Sequence, residues 1–320
     1  MNKSTKIFLS LGLILLILGG ILFTVTMSKL NWDFNALDTN KYLTSTHEIT
    51  ESFDKISIDV DTADVSIIKT QEQTPKVVCF EREVQIHNVS VENGTLIITS
   101  PQTDWKNFIA FFNFKSPSIT LYLPKADYSD LIIESNSADL FLAKELTFNN
   151  VLTNTDTGDV KVNSNVKENL KVTTDTGDID VYDICAYNVE LSVRTGDIEI
   201  NKLSCNDLTV RVTTGDSELN DVQCKNLIST GDTGDLELVN VIASGKFTIE
   251  RDTGDVEILS SDASEIQITT DTGDVKMTLL SYKVFAIDTD TGRKRIPIST
   301  EGGLCQVTTD TGDIEIYIKE

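Results

Sequence analysis

The sequence is poor in the residues that most metal sites use. It has only two histidines, His47 and His87, which lie far apart in the chain, and none of its five cysteines forms a Cys-x-x-Cys pair. A structural zinc site usually takes about four nitrogen or sulfur ligands in clustered pairs. The sequence therefore predicts no metal site, and we assign no catalytic, cofactor-binding or metal residues.

Basic residues are also scarce. The 27 Lys and Arg residues face 50 Asp and Glu residues, which gives a formal net charge of −23. Nucleic-acid binding depends on Lys and Arg neutralising phosphates, and docking to anionic lipid needs the same charges. We therefore predict no nucleic-acid partner and a soluble, self-repelling surface with a weak preference for cations.

Motifs of common enzyme classes are missing as well. The chain contains no Gly-x-Gly-x-x-Gly, no P-loop, no His-Glu-x-x-His and no His-based triad. Long parallel solenoids can hold carboxylate pairs for sugar chemistry, but acids recur so regularly here that no pair stands out. We predict that the protein is not an enzyme and keep a carbohydrate-active enzyme as an alternative.

What the sequence does have is a single apolar run at residues 7–27. It carries no charge, and a helix of about 20 residues spans a bilayer core. Lys3 and Lys6 precede it, so the positive-inside rule places residues 1–6 in the cytoplasm and the C-terminal part outside. A cleaved signal peptide is the alternative, but Val25-Thr26-Met27-Ser28 is a poor cleavage site. Residues 28–46 would be a polar spacer.

A Thr-Gly turn recurs along the second half of the chain. Nine copies occur, and successive glycines lie 19 or 20 residues apart. A degenerate copy, Ser137-Ala138-Asp139-Leu140, lies 20 residues before the first glycine, whereas the similar stretch Asp61–Val65 falls off the period. The nine glycines are Gly158, Gly177, Gly196, Gly215, Gly234, Gly254, Gly273, Gly292 and Gly312.

The residues after each glycine alternate in character. The fourth is apolar in all nine copies, and the second is apolar in all but two, Ser217 and Lys294. The first and third are charged in every copy. This period of two predicts a strand with one buried face, and glycine suits the corner before it because positive φ costs glycine little.

Short strands cannot bury an apolar face alone, but stacked coils can. We therefore predict an all-β fold, a parallel β-solenoid of 19-residue coils over residues 126–320, preceded by one transmembrane helix. The usual crossover rule favours a right-handed coil. Residues 47–125 form a β-rich N-terminal part that caps the first coil, with a hairpin at Asn93-Gly94. The last repeat would leave a frayed edge or meet a partner.

The anchor, the hairpin-rich start and the "TDTGDV/I" coils resemble the bacterial putative-adhesin family of β-strand-repeat proteins. The resemblance covers about residues 47–320. This family is a domain of unknown function that occurs in envelope proteins, including membrane-anchored members of cell-envelope stress operons. The resemblance implies an extracytoplasmic β-solenoid with no established enzymatic activity.

Three kinds of chemistry compete for the Asp-Thr-Gly-Asp turn. Aspartic proteases pair two Asp-Thr-Gly copies, but no copy here is followed by Ser or Thr, and a regular stack offers no twofold pairing. Stacked carboxylates could hold Ca²⁺, yet Arg194, Thr213 and Arg293 interrupt the acidic columns. We predict that Asp and Thr mainly shape the turn by bonding nearby backbone N–H groups, with weak Ca²⁺ binding at most.

Two further features stand apart from the repeat. Cys205 and Cys224 lie one coil apart, and Ala243 follows in the next coil, which predicts a column of small residues at an inward corner; a disulfide is the alternative. The aromatic segment 104–115 (DWKNFIAFFNFK) would either plug the first coil or contact the membrane interface or a partner.

The sequence thus predicts a single-pass membrane protein with an outward-facing β-solenoid. Its role would be interaction or scaffolding at the bacterial cell envelope, as an adhesin or an envelope-stress modulator. The membrane would be bound through the N-terminal helix, and the partner would be an envelope protein or a glycan. A calcium-stabilised surface stalk is a second alternative beside the carbohydrate-active enzyme.

Overall fold

The structure, a computed structural model, describes residues 3–34, 41–101 and 115–319. It is mostly β, with 64% of residues in strands, and forms a parallel β-solenoid of about ten turns with one N-terminal apolar helix. The predicted fold class is therefore confirmed.

The helix is α1 (Lys3–Lys29). The strands are β1 (Tyr42–Glu48), β2 (Lys55–Val60), β3 (Asp64–Lys69), β4 (Lys76–Arg82), β5 (Asn88–Glu92), β6 (Thr95–Thr99), β7 (Ser118–Leu123), β8 (Asp127–Ser137), β9 (Leu140–Leu142), β10 (Thr147–Thr157), β11 (Val160–Val162), β12 (Asn165–Thr176), β13 (Ile179–Cys185), β14 (Asn188–Thr195), β15 (Ile198–Ser204), β16 (Asp207–Thr214), β17 (Ser217–Cys224), β18 (Asn226–Thr233), β19 (Leu236–Val239), β20 (Ile242–Thr253), β21 (Val256–Thr272), β22 (Val275–Leu279), β23 (Val284–Thr291), β24 (Lys294–Arg295), β25 (Leu304–Thr311) and β26 (Ile314–Ile318).

Helix α1 is apolar along most of its length. Its stretch Thr5–Lys29 is long and apolar enough to cross a membrane. Such a helix is stable in hydrocarbon because its backbone hydrogen bonds are satisfied internally and its Leu, Ile and Val side chains are apolar. A membrane anchor and a signal sequence both have these properties.

Each coil of the solenoid contributes one strand before the Thr-Gly turn and one after it. Strands of successive coils pair in parallel, for example β12 with β14 and β13 with β15. Apolar side chains alternate inward on both sides of the coil, so Val160 and Val162 are fully buried while Lys161 between them is exposed. The predicted alternation is confirmed, and it builds one continuous core along the rod.

The turn glycines have a geometry that no other residue adopts easily. Gly196 has φ of 138°, and a Cβ built on it would lie 2.2 Å from the carbonyl oxygen of Gly177 in the preceding coil. The same positive φ occurs at eight of the nine repeat glycines, the exception being Gly292. Glycine is therefore required twice, by its own dihedral angle and by the close stacking of coils.

Coil order in space departs from chain order at the C-terminal side. The last coil of the chain, β25–β26, pairs with β21 and β22 on one side and with β23 and β24 on the other. The edge predicted for the last repeat is thus occupied by the Gly292 coil. In that coil Ile296, predicted to face inward, is 38% exposed because no described coil covers it.

A second departure occurs near the N-terminal side. Strands β2 and β3 flank the turn that contains Asp64, and they pair with β8 and β9 as a regular coil. The stretch Asp61–Val65, which falls off the sequence period, therefore belongs to the stack. Residues 70–126 are inserted between this coil and the next, so the 19-residue period is lost in the sequence. The two coils still stack directly on one another.

The inserted residues close this end of the rod. Strands β6 and β7 add a further parallel layer on β2 and β3. Strand β5 then pairs with β6 as an antiparallel hairpin, with positive φ at Asn93 and Gly94 as predicted. Strand β4 pairs antiparallel with β7, and β1 pairs antiparallel with β4. The antiparallel cap changes the direction of the sheet and ends the parallel stack.

Candidate functional sites: the aspartate column, the distal end and the cap cluster

The aspartates that follow the turn glycines, together with Asp64 and Asp139 at the equivalent positions after Ala63 and Ala138, stack into one column. In each step the carboxylate Oδ1 accepts a hydrogen bond from the backbone N–H of the equivalent residue in the next coil, over 2.7–3.1 Å. We call these ten residues the aspartate column: Asp64, Asp139, Asp159, Asp178, Asp197, Asp216, Asp235, Asp255, Asp274 and Asp313.

This pattern differs from the predicted one. The carboxylates do bond backbone N–H groups, but those groups lie one coil away rather than in the same turn. For example, Asp216 N–H donates to Asp197 Oδ1 over 2.7 Å. The side chain therefore fixes the distance between coils, and like charges are held in a column because each carboxylate has a donor.

Arginine replaces aspartate where the column ends. Arg293 lies in the outermost described coil, so no described coil beyond it offers an N–H to a carboxylate at that position. Its guanidinium instead donates to Asp313 Oδ2, which lowers the pKa of Asp313. The second arginine of the pattern, Arg194, lies 3.6 Å from Asp175. Both contacts offset repulsion between exposed carboxylates, and weak Ca²⁺ binding by the column stays a prediction.

The rod also holds a buried arginine that the repeat pattern did not indicate. Arg251 is 3% exposed and points into the solenoid, where its guanidinium donates to Ser229 Oγ and to the carbonyl of Glu250. Burial lowers its pKa to about 10. Gly231 lies opposite, and a Cβ there would lie 2.9 Å from Arg251 Nη1. Arg251 and the Gly231 opposite it are a local exception to the apolar core of the solenoid.

The coil of β23 and β24 forms what we call the distal end. Among the described residues, no strand pairs with the outer edges of β23 and β24. Exposed apolar side chains lie on this coil or near it in sequence, and Ile298 is 99% exposed. The other exposed members are Leu280, Tyr282, Val284, Ile296 and Leu304.

A buried cluster of polar side chains lies in the cap between β1 and β4. His47, Cys79 and Glu81 place their ligand atoms within 4.8 Å of one another. We call Ser45, His47, Cys79, Glu81 and His87 the cap cluster. Antiparallel pairing places Ser45 opposite Cys79, while His47 and Glu81 lie opposite Val77 and Leu43, on either side of that pair. The ligand atoms of His47 and Glu81 nevertheless converge with the Cys79 sulfur.

Glu81 is the centre of the cap cluster. The Glu81 side chain is fully buried. Its carboxylate accepts hydrogen bonds from the Ser45 hydroxyl and from the His87 backbone N–H, and its Oε2 lies 2.8 Å from His87 Nδ1. Burial, reinforced by the neighbouring Glu81, raises the pKa of the Cys79 thiol to about 12. His47 Nε2 is buried without a hydrogen-bond partner among the described residues. The cluster thus has a buried carboxyl group in its interior and a ring nitrogen with no described hydrogen-bond partner.

No motif in the sequence indicated this cluster. His47 and His87 are separated by several strands, and Cys79 has no second cysteine nearby in the chain, so no ligand spacing was visible. The only local signal is inward alternation in β4, which places Val77, Cys79 and Glu81 on one face. A charged residue at a core position of a strand is unusual and marks the position as a candidate.

The remaining sequence features have different outcomes. Cys205, Cys224 and Ala243 stack in successive coils at an inward corner, as predicted. All five cysteines are free thiols, so the structure does not have the alternative disulfide. The aromatic residues of segment 104–115 lie outside the described residues.

The family of the chain is clear from comparison with known proteins. Residues 53–224 and 205–320 match the family described as Toastrack DUF4097. The chain belongs to this family, a domain of unknown function, and the predicted resemblance is confirmed. None of the curated proteins matches the sequence.

Solved structures share the fold. A protein of Parabacteroides distasonis described as a putative adhesin is 12% identical, and the match covers 76% of this chain and 98% of that chain with a TM-score of 0.51. A putative adhesin of Parabacteroides merdae is 14% identical, with 75% and 97% covered and a TM-score of 0.50. At these identities the similarity shows the fold alone.

Proposed function

We propose that the chain is a single-pass membrane protein whose rod lies outside the cytoplasmic membrane. In this proposal it works by binding another envelope protein, not by catalysis, and the distal end is the binding surface. The apolar helix α1 and the Lys residues ahead of it support the anchor. The description of structural relatives as putative adhesins supports an interaction role.

The open edge of the outermost coil, that of β23 and β24, carries this proposal. Every other coil of the parallel stack buries both edges against a neighbour, so the backbone N–H and C=O groups of those coils are paired. On β23 and β24 one edge has no described partner. Long solenoids need terminal caps with a polar outer face for solubility. Here the terminal coil carries charged residues but also exposes Val284, Ile296 and Ile298. An exposed apolar patch beside an open edge is typical of an interaction site.

The chemistry of the edge favours a protein partner over a glycan. An extended peptide can add to a sheet edge through main-chain hydrogen bonds, and alternate side chains then fill adjacent pockets. Tyr282, Ile296 and Tyr317 line a groove next to β24, which could receive such side chains. An envelope protein with an exposed, apolar extended segment fits this surface.

Membrane topology can be tested with a native reporter. Cys185 has an exposed side chain, Cys205 is half-buried, and Cys79, Cys224 and Cys305 are buried. A membrane-impermeant maleimide added to intact cells should label the wild-type protein strongly and Cys185→Ser much more weakly. Labelling only after cell lysis would show that the rod faces the cytoplasm and would overturn the proposed location.

Binding through the distal end can be tested by crosslinking in whole cells. Val284 at the distal end and Ile228 on the side of the rod are both 41% exposed, so they form a matched pair. We expect Val284→Lys to lose the crosslinked partner and Ile228→Lys to retain it. Binding at the distal end would be contradicted if the Val284→Lys and Ile298→Lys variants both retain the crosslinked partner. It would also be contradicted if only Ile228→Lys loses that partner.

A further inference from the structure

The cap cluster contains the donor atoms of a transition-metal site in one buried place. His47 offers a ring nitrogen, Cys79 a sulfur and Glu81 a carboxylate oxygen, all within 4.8 Å of one another. Tetrahedral Zn²⁺ binds these three ligand types at about 2.0–2.3 Å. Ligand atoms around such an ion lie about 3.3–3.7 Å apart, so small side-chain rotations would close the site.

The buried carboxylate of the cluster has few polar partners among the described residues. Cys79 and Glu81 are both fully buried, and the partners described for the Glu81 carboxylate are the Ser45 hydroxyl and His87. A buried carboxylate is costly unless it is paired or coordinates a metal. His47 Nε2 adds an independent observation, since it is a buried nitrogen with no described hydrogen-bond partner. A bound divalent cation would satisfy both groups.

We propose that His47, Cys79 and Glu81 form a Zn²⁺ site, with His87 orienting Glu81. The nitrogen and sulfur donors select a borderline-soft ion such as Zn²⁺ over Ca²⁺ or Mg²⁺, which take oxygen ligands. Three protein ligands leave a fourth position for water or an external ligand. A small cavity lined by Asp61 and Gln85 contacts the cluster at His87.

The position of the site indicates what binding would do. In the described structure β1 pairs only with β4, and β1 is the strand nearest in sequence to helix α1. His47 belongs to β1, while Cys79 and Glu81 belong to β4. A metal ion would therefore crosslink the membrane-side strand to the rod, and Zn²⁺ would strengthen the attachment of the first strand.

The test uses the full-length chain in detergent after removal of metal with a chelator. Excess Ca²⁺ is added first, so that the exposed carboxylates of the aspartate column do not compete. Titration with Co²⁺ should produce a near-ultraviolet thiolate-to-metal absorption band that saturates at one equivalent per chain. Zn²⁺ should then bleach this band, and Zn²⁺ alone should raise the melting temperature.

Matched variants assign the band to the cap cluster. Cys79→Ser should abolish it, whereas Cys305→Ser, at an equally buried cysteine in a distant coil, should retain it. His47→Gln is a second ligand variant and is expected to fold, since β1 is an outer strand. His87→Gln should weaken Co²⁺ binding about 10–100-fold, as for other residues that orient metal ligands.

Two results would overturn the proposal. The first is the absence of a thiolate band in the folded wild-type protein at Co²⁺ saturation. The second is a band that persists in both Cys79→Ser and His47→Gln, which would place the metal on another thiol, such as the stacked Cys205 and Cys224. Neither result depends on the binding proposed for the distal end, so the two proposals fail separately.

Discussion

The aspartate column makes a prediction that separates a backbone acceptor from a calcium ligand. Asp255 Oδ1 accepts the N–H of Asp274 over 2.8 Å. Asp255→Asn keeps an oxygen acceptor and removes the charge, whereas Asp255→Ala removes both. Asp252 lies in the same turn, is exposed, and its side chain makes no hydrogen bond within the described residues, so Asp252→Ala is the matched control.

The expected magnitudes follow from the geometry. A hydrogen bond to a charged group contributes about 1.5–3 kcal/mol, and water can replace part of it at an exposed corner, so we expect Asp255→Ala to cost about 1 kcal/mol. Stacked carboxylates one coil apart, about 4.8 Å, repel by about 0.9 kcal/mol in water. Asp255→Asn relieves this repulsion while keeping an acceptor, so its stability should be within about 0.5 kcal/mol of wild type.

The assay is urea unfolding of the full-length protein in detergent, followed by circular dichroism, with Ca²⁺ and again with a chelator. We expect the same order in both conditions, with Asp255→Asn and Asp252→Ala close to wild type and Asp255→Ala less stable. If Asp255→Asn is as unstable as Asp255→Ala in Ca²⁺ and the difference disappears with the chelator, the carboxylate holds a cation. If Asp255→Ala matches wild type in both conditions, the column does not stabilise the stack.

Three further predictions concern the core and the turns. Gly196→Ala should destabilise by roughly 2–6 kcal/mol, from a strained φ and overpacking against the preceding coil. Gly94→Ala, with no atom within 4 Å of its Cβ, should cost only about 1–2 kcal/mol. Equal urea midpoints for the two variants would refute the steric argument. The ion pair of Lys283 and Asp262 is buried at 2.6 Å, so Lys283→Met should cost about 3 kcal/mol, and adding Asp262→Asn should recover part of it in thermal melts. Burial raises the pKa of the Cys305 thiol to about 12 from an ordinary 9.0. Because the unfolded chain loses this proton first, the stability of the protein should fall as pH rises from about 9 towards 12. Cys305→Ser should show a shallower fall, and an unchanged slope of stability against pH would contradict the burial argument.

Much of the fold was predictable because the solenoid repeats one local rule. The alternation after each glycine, the corner at each Thr-Gly and the hairpin at Asn93-Gly94 depend on short stretches of sequence, and the structure confirms them. The order of coils was not predictable. Each coil has a similar edge and a similar core face, so the sequence alone cannot tell that β25–β26 inserts between the coils of β22 and β24.

The candidate sites show the same division. Arg293 was visible in the sequence as an interruption of the aspartate column, but its reason became clear only when its coil was found at the end of the stack. The cap cluster was invisible, because an antiparallel strand pair joins residues that are distant in the chain. Spacing motifs find ligands that share one element, and here His47 and Cys79 lie on two.

The class of the fold, the position of the apolar helix and the corner geometry follow from the sequence, since they depend on hydrophobic period and on glycine dihedral angles within one coil. Three features are visible only in the folded chain: which coil ends the rod, which carboxylate accepts from which coil, and the approach of both histidines to one buried glutamate. These contacts are set by the stacking of distant strands, where register, not sequence spacing, places one side chain against another.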